Sequence, residues 1–186
     1  METRRSYPGW HFDEIAGSAK APILPKAIIM IILPEFIWNQ LLREFRRSWR
    51  RVEQIAYLDG VETETAAIVT TITFPNAILR RGGFSVPASS MSEAGQHLGP
   101  LVRIAQVHTH PGEWVGHSDT DNEQAYSQHD GAVSIVIPYY GKAVRTISNV
   151  GIHVCKNYKW RMLPASEKEG FLRIVPTLLD FRRKWL

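Results

Sequence analysis

The stretch between residues 107 and 121 constrains the fold of this chain more than any other part of its sequence. A strand-like run over residues 101–107 leads into His108-Thr109-His110, and Pro111-Gly112 follows directly. Because side chains alternate along a strand, both imidazoles of the pair point to the same side of a sheet. Pro-Gly ends the strand, and Ser118-x-x-Asp121 predicts a helix start. The pattern predicts strand, loop and helix, with Asp121 close enough to the helix start to face the loop.

Three side chains of this stretch form a candidate metal site. Two neutral imidazoles and a carboxylate, here His108, His110 and Asp121, suit Zn²⁺ and leave a fourth position for water. Zinc in such an open site lowers the pKa of bound water to about 7, which is its hydrolytic use. Ser118 and Asp121 also match an ordinary helix cap, and a capping serine can still offer its hydroxyl to the site.

The remaining patterns predict a mixed α/β (α+β) domain. Apolar residues at helical spacing between Pro34 and Trp49 predict an amphipathic helix. Strand patterns cover residues 27–33, 52–58, 65–74, 101–107, 132–137 and 150–155. We therefore expect a single domain over residues 27–186, with a central, mostly antiparallel mixed sheet flanked by helices. Residues 1–26, rich in Pro, Gly and Ser, are expected to form a loosely ordered lead-in.

Local signals predict how these elements are joined. Asp59-Gly60 predicts the hairpin turn after the strand at 52–58. Residues 82–95 predict a loop, followed by a short helix near 91–98 with Ser90 and Glu93 as its capping box. Residues 118–128 are expected to be helical, and the tail at 171–186 fits either a strand or a helix.

Composition limits the classes of function. The 186 residues are 44% hydrophobic and 22% charged, which is typical of a globular protein and excludes a disordered chain or a rod. The single Cys155 excludes an internal disulfide and a multi-cysteine zinc cluster, and fits a reducing compartment. The longest apolar run has seven residues, too short to span a bilayer. A net charge of +4 does not demand nucleic acid. We expect a cytoplasmic protein.

The motif resembles that of the JAMM/MPN+ metalloproteases, also called JAB-domain peptidases. Their signature is a distant Glu followed by His-x-His-x7-Ser-x2-Asp, and residues 108–121 contain its downstream part complete. Upstream, Glu53 with Gly60 seven residues later reproduces the spacing of the family's Glu and Gly. Ala56 stands where a glycine is commonly seen. The resemblance extends over roughly residues 34–160.

This resemblance implies a JAB/MPN domain of the cytidine-deaminase-like type, with one Zn²⁺ per chain. It implies that His108, His110 and Asp121 are the metal ligands and that Glu53 is the general base. Ser118 is implied as the hydroxyl donor to the developing oxyanion of the tetrahedral intermediate.

Other side chains near the motif carry open alternatives. Trp114 is either an apolar wall for an extended substrate tail or a loop anchor packed on the domain. Glu62, Glu64 and Glu113 are rival carboxylates for the base, all expected to be exposed. Cys155 is expected to be inert core. His117 and His129 are weaker candidates for supporting the site, whereas His11, His97 and His153 are expected to be packed or solvated.

The family likeness implies a zinc isopeptidase or peptidase that cleaves after the C-terminal tail of a ubiquitin-like protein. A stand-alone domain with Ser134–Pro138 after the motif is similar to bacterial members encoded with ubiquitin-like, activating and conjugating proteins, some in antiphage defence. The expected partners are a ubiquitin-like protein or its conjugates and those enzymes, with no nucleic acid and no membrane.

Three other functions stay open at this point. One is a peptidase that processes a sulfur-carrier precursor, and another is a non-catalytic MPN scaffold. The third is the RadC-like branch linked to DNA metabolism. That branch usually carries His-Asn-His-Pro-Ser-Gly, where this chain has His-Thr-His-Pro-Gly-Glu.

Overall fold

A computed structural model describes residues 30–47 and 51–177. The strands are β1 (Ile31–Pro34), β2 (Ile55–Glu62), β3 (Ala67–Thr73), β4 (Ile78–Arg80), β5 (Gly83–Ser85), β6 (Val102–Thr109), β7 (Val133–Ile137), β8 (Gly151–Lys156), β9 (Lys159–Met162) and β10 (Leu172–Val175). The helices are α1 (Glu35–Arg47), α2 (Ala88–Gln96), α3 (Asp119–Glu123) and α4 (Ala165–Phe171). A short turn lies at Pro138–Gly141, and a 3-10 turn lies at Ile147–Asn149. Within the described part of the chain, no helix is both long and apolar enough to cross a membrane.

Eight strands form one mixed sheet in the order β10-β1-β3-β2-β6-β7-β8-β9, and β4 and β5 form a separate hairpin. Strands β2 to β3, β2 to β6, β7 to β8 and β8 to β9 pair antiparallel. Strand β6 pairs parallel with β7, and β1 pairs parallel with both of its neighbours. The prediction of a mixed fold around a mostly antiparallel central sheet is confirmed. Because β6 and β7 run parallel, both end at the same edge, where the loop after His110 begins.

Helix α1 covers one face of this sheet. It begins directly after Pro34 and buries Trp38, Leu41, Leu42 and Phe45 against the main core. The predicted helix and its apolar face are confirmed over the described residues; Trp49 lies outside them, as do residues 27–29 of the predicted first strand. Burial of this apolar stripe, more than local propensity, stabilises a helix of this length.

Asp59-Gly60 is not a hairpin turn, so that prediction is wrong. Strand β2 continues through both residues, and the pairing register with β3 shifts between them. Asp59 is fully buried and accepts hydrogen bonds from Thr73 Oγ1 at 2.6 Å and Arg103 Nε at 3.1 Å. A Cβ at Gly60 would lie 2.0 Å from the carbonyl oxygen of Ile68. The glycine is therefore needed for the close approach of β3, as in a β-bulge.

Two further local predictions are corrected. Residues 78–85 form the β4–β5 hairpin, and α2 begins after Pro87 with no side-chain cap, so the capping box of Ser90 and Glu93 is wrong. The helix expected over residues 118–128 is only the five residues of α3. In the tail, residues 172–175 form β10, and residues 178–186 lie outside the described part.

The sheet face away from α1 carries the candidate site. Ala56 belongs to the core under α1, so the alternating Ile55 and Tyr57 point to the other face. There they pack with Phe84 in a smaller apolar cluster that Tyr126 borders.

Candidate metal centre

His108 and His110 lie at the end of β6 with their rings side by side. His108 belongs to the strand, and the amide of His110 donates to the carbonyl of Ile137 at 2.8 Å, which extends the β6–β7 pairing. The two ring centroids are 5.1 Å apart. The alternation of side chains along the strand therefore places both imidazoles on one face, as the sequence predicts.

Asp121 reaches the same point from α3. Its Oδ1 lies 3.3 Å from His108 Nε2, and its Oδ2 lies 3.3 Å from His110 Nε2. One ligand atom from each of the three residues falls within 4.8 Å of the other two, and all three residues are buried. The structure thus brings together the three predicted metal ligands.

His108 shows that these residues fit a cation. Its ring is fully buried, and neither nitrogen makes a hydrogen bond of good geometry, although Nε2 faces Asp121. Buried polar atoms almost always have partners, so an orphaned imidazole is exceptional. Burial lowers the pKa of His108 and keeps the ring neutral, which is the form that binds a metal. A divalent cation held with Asp121 would supply the partner that Nε2 lacks.

Asp121 is ionised in this environment. Burial alone raises its pKa, but the neighbouring His108 and His110 outweigh burial, and the pKa lies far below its ordinary value. His110 Nδ1 lies 2.9 Å from the carbonyl oxygen of Trp114, which accepts a hydrogen bond from the ring N–H. In the neutral ring, that hydrogen bond leaves the lone pair on Nε2, the nitrogen that faces Asp121.

Ser118 holds the Asp121 carboxylate in place. Its main-chain amide and its hydroxyl donate to Asp121 Oδ2 at 2.7 and 2.8 Å, and Asp121 N donates back to Ser118 Oγ at 3.2 Å. This is a complete capping box at the start of α3. In this structure the serine hydroxyl therefore orients the carboxylate instead of pointing to an open position.

Glu53 lies one residue before a tight cross-strand pair. Gln54 N donates to Thr109 Oγ1, and Thr109 N donates to the Gln54 carbonyl, both at 3.0 Å. With Ile55 opposite His108 in the register, Glu53 comes opposite His110 on the same face of the sheet. The sequence predicts Glu53 within a strand, whereas β2 begins at Ile55.

The environment of Glu53 suits proton transfer near neutral pH. The residue is 4% exposed, and burial raises its pKa to about 7, a rise that His110 opposes and Asp121 reinforces. A carboxyl group whose pKa is close to the working pH can both take and give a proton. Glu53 therefore lies on the face of the metal cluster with a pKa near neutrality.

The rival carboxylates lie elsewhere. Glu62 is exposed at the end of β2 away from His108, and Glu64 is exposed in the turn that follows. Glu113 is exposed and accepts a hydrogen bond from Tyr139 at 3.4 Å.

Cys155 is buried in β8, donates to the Gln128 carbonyl at 3.2 Å, and has a pKa raised by burial. It is not an activated nucleophile.

Trp114 covers one side of His110. Its indole stacks on the imidazole with centroids 5.2 Å apart and planes 21° apart, yet 56% of the residue is exposed. The ring lies over Gly116, whose added Cβ would come within 2.6 Å of it. The structure therefore gives Trp114 both a packing contact and a large open surface.

His117 and His153 form a stacked pair behind His108, an arrangement that the spacing does not reveal. Their centroids are 3.9 Å apart, and His117 bonds Asn122 Oδ1 at 3.0 Å and Ser134 Oγ at 2.9 Å. Burial, and then His153, lower the pKa of His117 to about 3, so the His117 ring beside His108 is neutral. His129 is exposed and contacts Ser127, not the metal ligands.

Comparisons with known proteins bear on the fold. No protein-family model and no curated protein matches the sequence. The solution structure of protein DSY2949 from Desulfitobacterium hafniense is similar, with 14% identity and a TM-score of 0.60 over 84% of this chain and 100% of that one. AF2198, a JAB1/MPN domain protein from Archaeoglobus fulgidus, also has 14% identity; it covers 73% of this chain and 94% of its own, with a TM-score of 0.43. The first likeness shows a shared overall fold with a solved protein, and the second adds nothing to that conclusion.

Proposed function

We propose that this protein is a zinc-dependent isopeptidase or peptidase of the JAMM/MPN+ type, which cleaves after the C-terminal tail of a ubiquitin-like protein. The observation that carries the proposal is the buried His108, whose two ring nitrogens lack hydrogen bonds beside His110 and an ionised Asp121. A buried structural histidine normally has hydrogen bonds to its ring, and a metal ion would give Nε2 of His108 the partner that it lacks.

His108, His110 and Asp121 would hold the ion. When bound, zinc supplies a Lewis acid that polarises a carbonyl oxygen and makes a water molecule more acidic. Glu53, with its pKa near 7, takes the proton from the attacking water and gives it to the departing amine nitrogen. An amide nitrogen leaves poorly unless it is protonated, so this proton transfer is the main task of the protein in the reaction.

Ser118 serves as the hydroxyl donor to the developing oxyanion in this proposal. Its main-chain amide keeps Asp121 in place at 2.7 Å, so the hydroxyl can rotate toward a substrate oxygen without releasing the carboxylate. A donor aimed at developing charge typically contributes about 10²-fold to 10³-fold in kcat.

Exposed apolar side chains next to Glu53 and next to His110 in the contact network support an extended substrate. Ile78 and Leu79 of β4 are 52% and 39% exposed, next to Arg80, whose carbonyl accepts from Glu53 N at 2.7 Å. Trp114 is exposed on the side of His110. These surfaces suit the flexible tail of a small modifier more than a compact substrate. We propose a bacterial conjugation system linked to antiphage defence as the cytoplasmic setting, with its activating and conjugating enzymes as partners.

The test is cleavage of an amide bond placed after a Gly-Gly tail by zinc-loaded protein. Glu53→Gln keeps the zinc and abolishes cleavage, whereas Glu62→Gln, at the far exposed end of β2, leaves cleavage unchanged. Cleavage of sulfur-carrier precursors but not of conjugates would favour precursor processing. A protein that binds no zinc and cleaves nothing would be a scaffold, and full activity of Glu53→Gln would refute the mechanism.

A further inference from the structure

The turn at Pro138–Gly141 has an unusual backbone. Tyr139 and Tyr140 both have φ of 53°, and Gly141 follows with φ of 77°. Bulky residues rarely adopt the left-handed region, and they do so where the surrounding structure holds them there. Such conformations concentrate at functional sites.

A second pair of left-handed residues shows what is different about this turn. Asn157 and Tyr158, with φ of 51° and 59°, join β8 to β9 in a two-residue hairpin. That hairpin geometry requires positive φ at both positions. The chain after β7 forms no hairpin with its next strand at this point, so Tyr139 and Tyr140 need another reason for their conformation.

The main-chain amides of Tyr139 and Tyr140 both form hydrogen bonds to the loop after β6. Tyr139 N donates to the Gly112 carbonyl at 3.0 Å, and Tyr140 N donates to the His110 carbonyl at 2.9 Å. Both hydrogen bonds hold the loop that follows β6. The left-handed turn therefore ties the main chain at His110 to the end of β7.

The side chain of Tyr140 reaches in another direction. Its hydroxyl donates to the carbonyl of Arg81 at 3.5 Å, in the turn of the β4–β5 hairpin. The preceding carbonyl, that of Arg80, accepts from Glu53 N at 2.7 Å. Tyr140 thus links His110 to the same short turn that holds the main chain of Glu53.

The phenol also lies within electrostatic reach of the Glu53 side chain. Burial, and then the Glu53 carboxylate, raise the pKa of Tyr140, so the hydroxyl is a protonated donor at neutral pH. A chain of contacts therefore runs from the His110 carbonyl through Tyr140 and the Arg80–Arg81 turn to the main chain of Glu53.

We propose that Tyr140 is a positioning residue that fixes the β4–β5 turn, and through it Glu53, at a constant separation from His110. Its effect on catalysis rests on the proposed function, whereas its effect on Glu53 does not. The left-handed conformation of Tyr139 and Tyr140 is the means by which one residue reaches both the His110 carbonyl and the hairpin turn.

The test compares Tyr140→Ala with the wild-type protein loaded with zinc. We expect the Glu53 amide to exchange its hydrogen at least about tenfold faster, since its acceptor turn loses a support. We expect kcat to fall about tenfold, with KM and the zinc Kd within about twofold, because only the base is displaced. Tyr140→Phe keeps the ring but loses the hydroxyl contact to Arg81, and gives changes in the same directions that approach those of Tyr140→Ala.

Tyr158→Ala is the matched control, because Tyr158 has the same backbone conformation in a hairpin away from Glu53. It leaves the Glu53 exchange rate and kcat unchanged. The proposal is overturned when Tyr140→Ala and Tyr140→Phe both leave these two quantities within about twofold of wild type, or when Tyr158→Ala changes them equally. A wild-type protein that cleaves no amide defeats the proposed function, while the exchange of the Glu53 amide still decides the role of Tyr140.

Discussion

Gln54 and Thr109 exchange two hydrogen bonds of 3.0 Å, one from each main-chain amide. This pair continues the β2–β6 pairing by one residue before Ile55, the first residue of β2. The next residue on each side is Glu53 and His110, and both side chains return to the face that carries His108. The proposed base and the two histidine ligands are therefore positioned by the pairing of β2 with β6, which is stiffer than a loop could provide.

The buried charge of Glu53 leads to a prediction about stability and pH. Its pKa is about 7 in the folded protein against 4.5 as the ordinary value. Below pH 4.5 the carboxyl is protonated in both states and contributes nothing; above pH 7 the folded protein holds an unfavourable ionised group. Glu53→Gln is expected to stabilise the metal-free protein by up to about 3 kcal/mol at pH 8, and by much less at pH 5. Urea unfolding in a chelator measures this.

Glu62→Gln is the control for that measurement, because Glu62 is exposed at the other end of the same strand. It should leave the free energy of unfolding unchanged at both pH values. An equal free energy of unfolding for Glu53→Gln and wild type at pH 8 would contradict the raised pKa. In the active protein, kcat/KM should fall as pH decreases below the pKa of Glu53, because the base acts in its ionised form.

Much of the site could be predicted because it depends on local periodicity. The alternation that puts His108 and His110 on one face needs only a strand, and the position of Asp121 needs only a capped helix start. The apolar face of α1 is likewise a property of one segment. These features follow from short-range geometry, which the sequence displays directly.

The features that the sequence did not reveal depend on distant partners. Asp59-Gly60 has the residues of a turn, but Arg103 and Thr73 satisfy the buried Asp59 within a strand. His117 stacks on His153, which is far along the chain. The left-handed Tyr139 and Tyr140 have no local signal, since only Gly141 favours that conformation by residue type. Such features require knowledge of which strands are neighbours.

Metal binding should stabilise the fold measurably. Zinc that binds the folded protein at 100 times its Kd adds about 2.7 kcal/mol, since the unfolded chain lacks the assembled site. For a chain of this size, that raises Tm by roughly 5–10 °C. Differential scanning calorimetry with zinc, and then with excess chelator, measures the increase and its reversal.

Two histidine variants make this measurement specific. His110→Ala removes a ligand of the buried cluster and should abolish the rise in Tm. His129→Ala removes an exposed histidine outside the cluster and should retain it. A rise in Tm that survives in His110→Ala would place the zinc elsewhere.

Ser118→Ala separates two uses of one hydroxyl. Loss of the cap to Asp121 N should destabilise the protein by about 1 kcal/mol. Loss of the contact to Asp121 Oδ2 should weaken zinc binding by about tenfold. At saturating zinc, a remaining decrease of about 10²-fold in kcat would come from the missing donor to the oxyanion.

Ser118→Thr keeps the hydroxyl and should retain most of the stability, the zinc affinity and kcat. Ser92→Ala, on the exposed side of α2, should change none of these. If saturating zinc returns kcat of Ser118→Ala to the wild-type value, the serine only orients Asp121 and is not an oxyanion donor.

Trp114 and Gly116 together test whether the exposed indole is a wall for the substrate. Trp114→Ala should raise KM about fivefold to tenfold with little change in kcat, since an aromatic contact contributes about 1 kcal/mol. Gly116→Ala should raise KM in the same way while keeping the ring, because its Cβ would lie 2.6 Å from the indole and displace it. Gly112→Ala is the control in the same loop, since its Cβ meets no atom within 4 Å. Steady-state kinetics on the substrate with a Gly-Gly tail measures KM, and zinc titration measures the zinc Kd. If both Trp114→Ala and Gly116→Ala weaken zinc binding and leave KM unchanged, the tryptophan is an anchor for the His110 loop and does not contact the substrate.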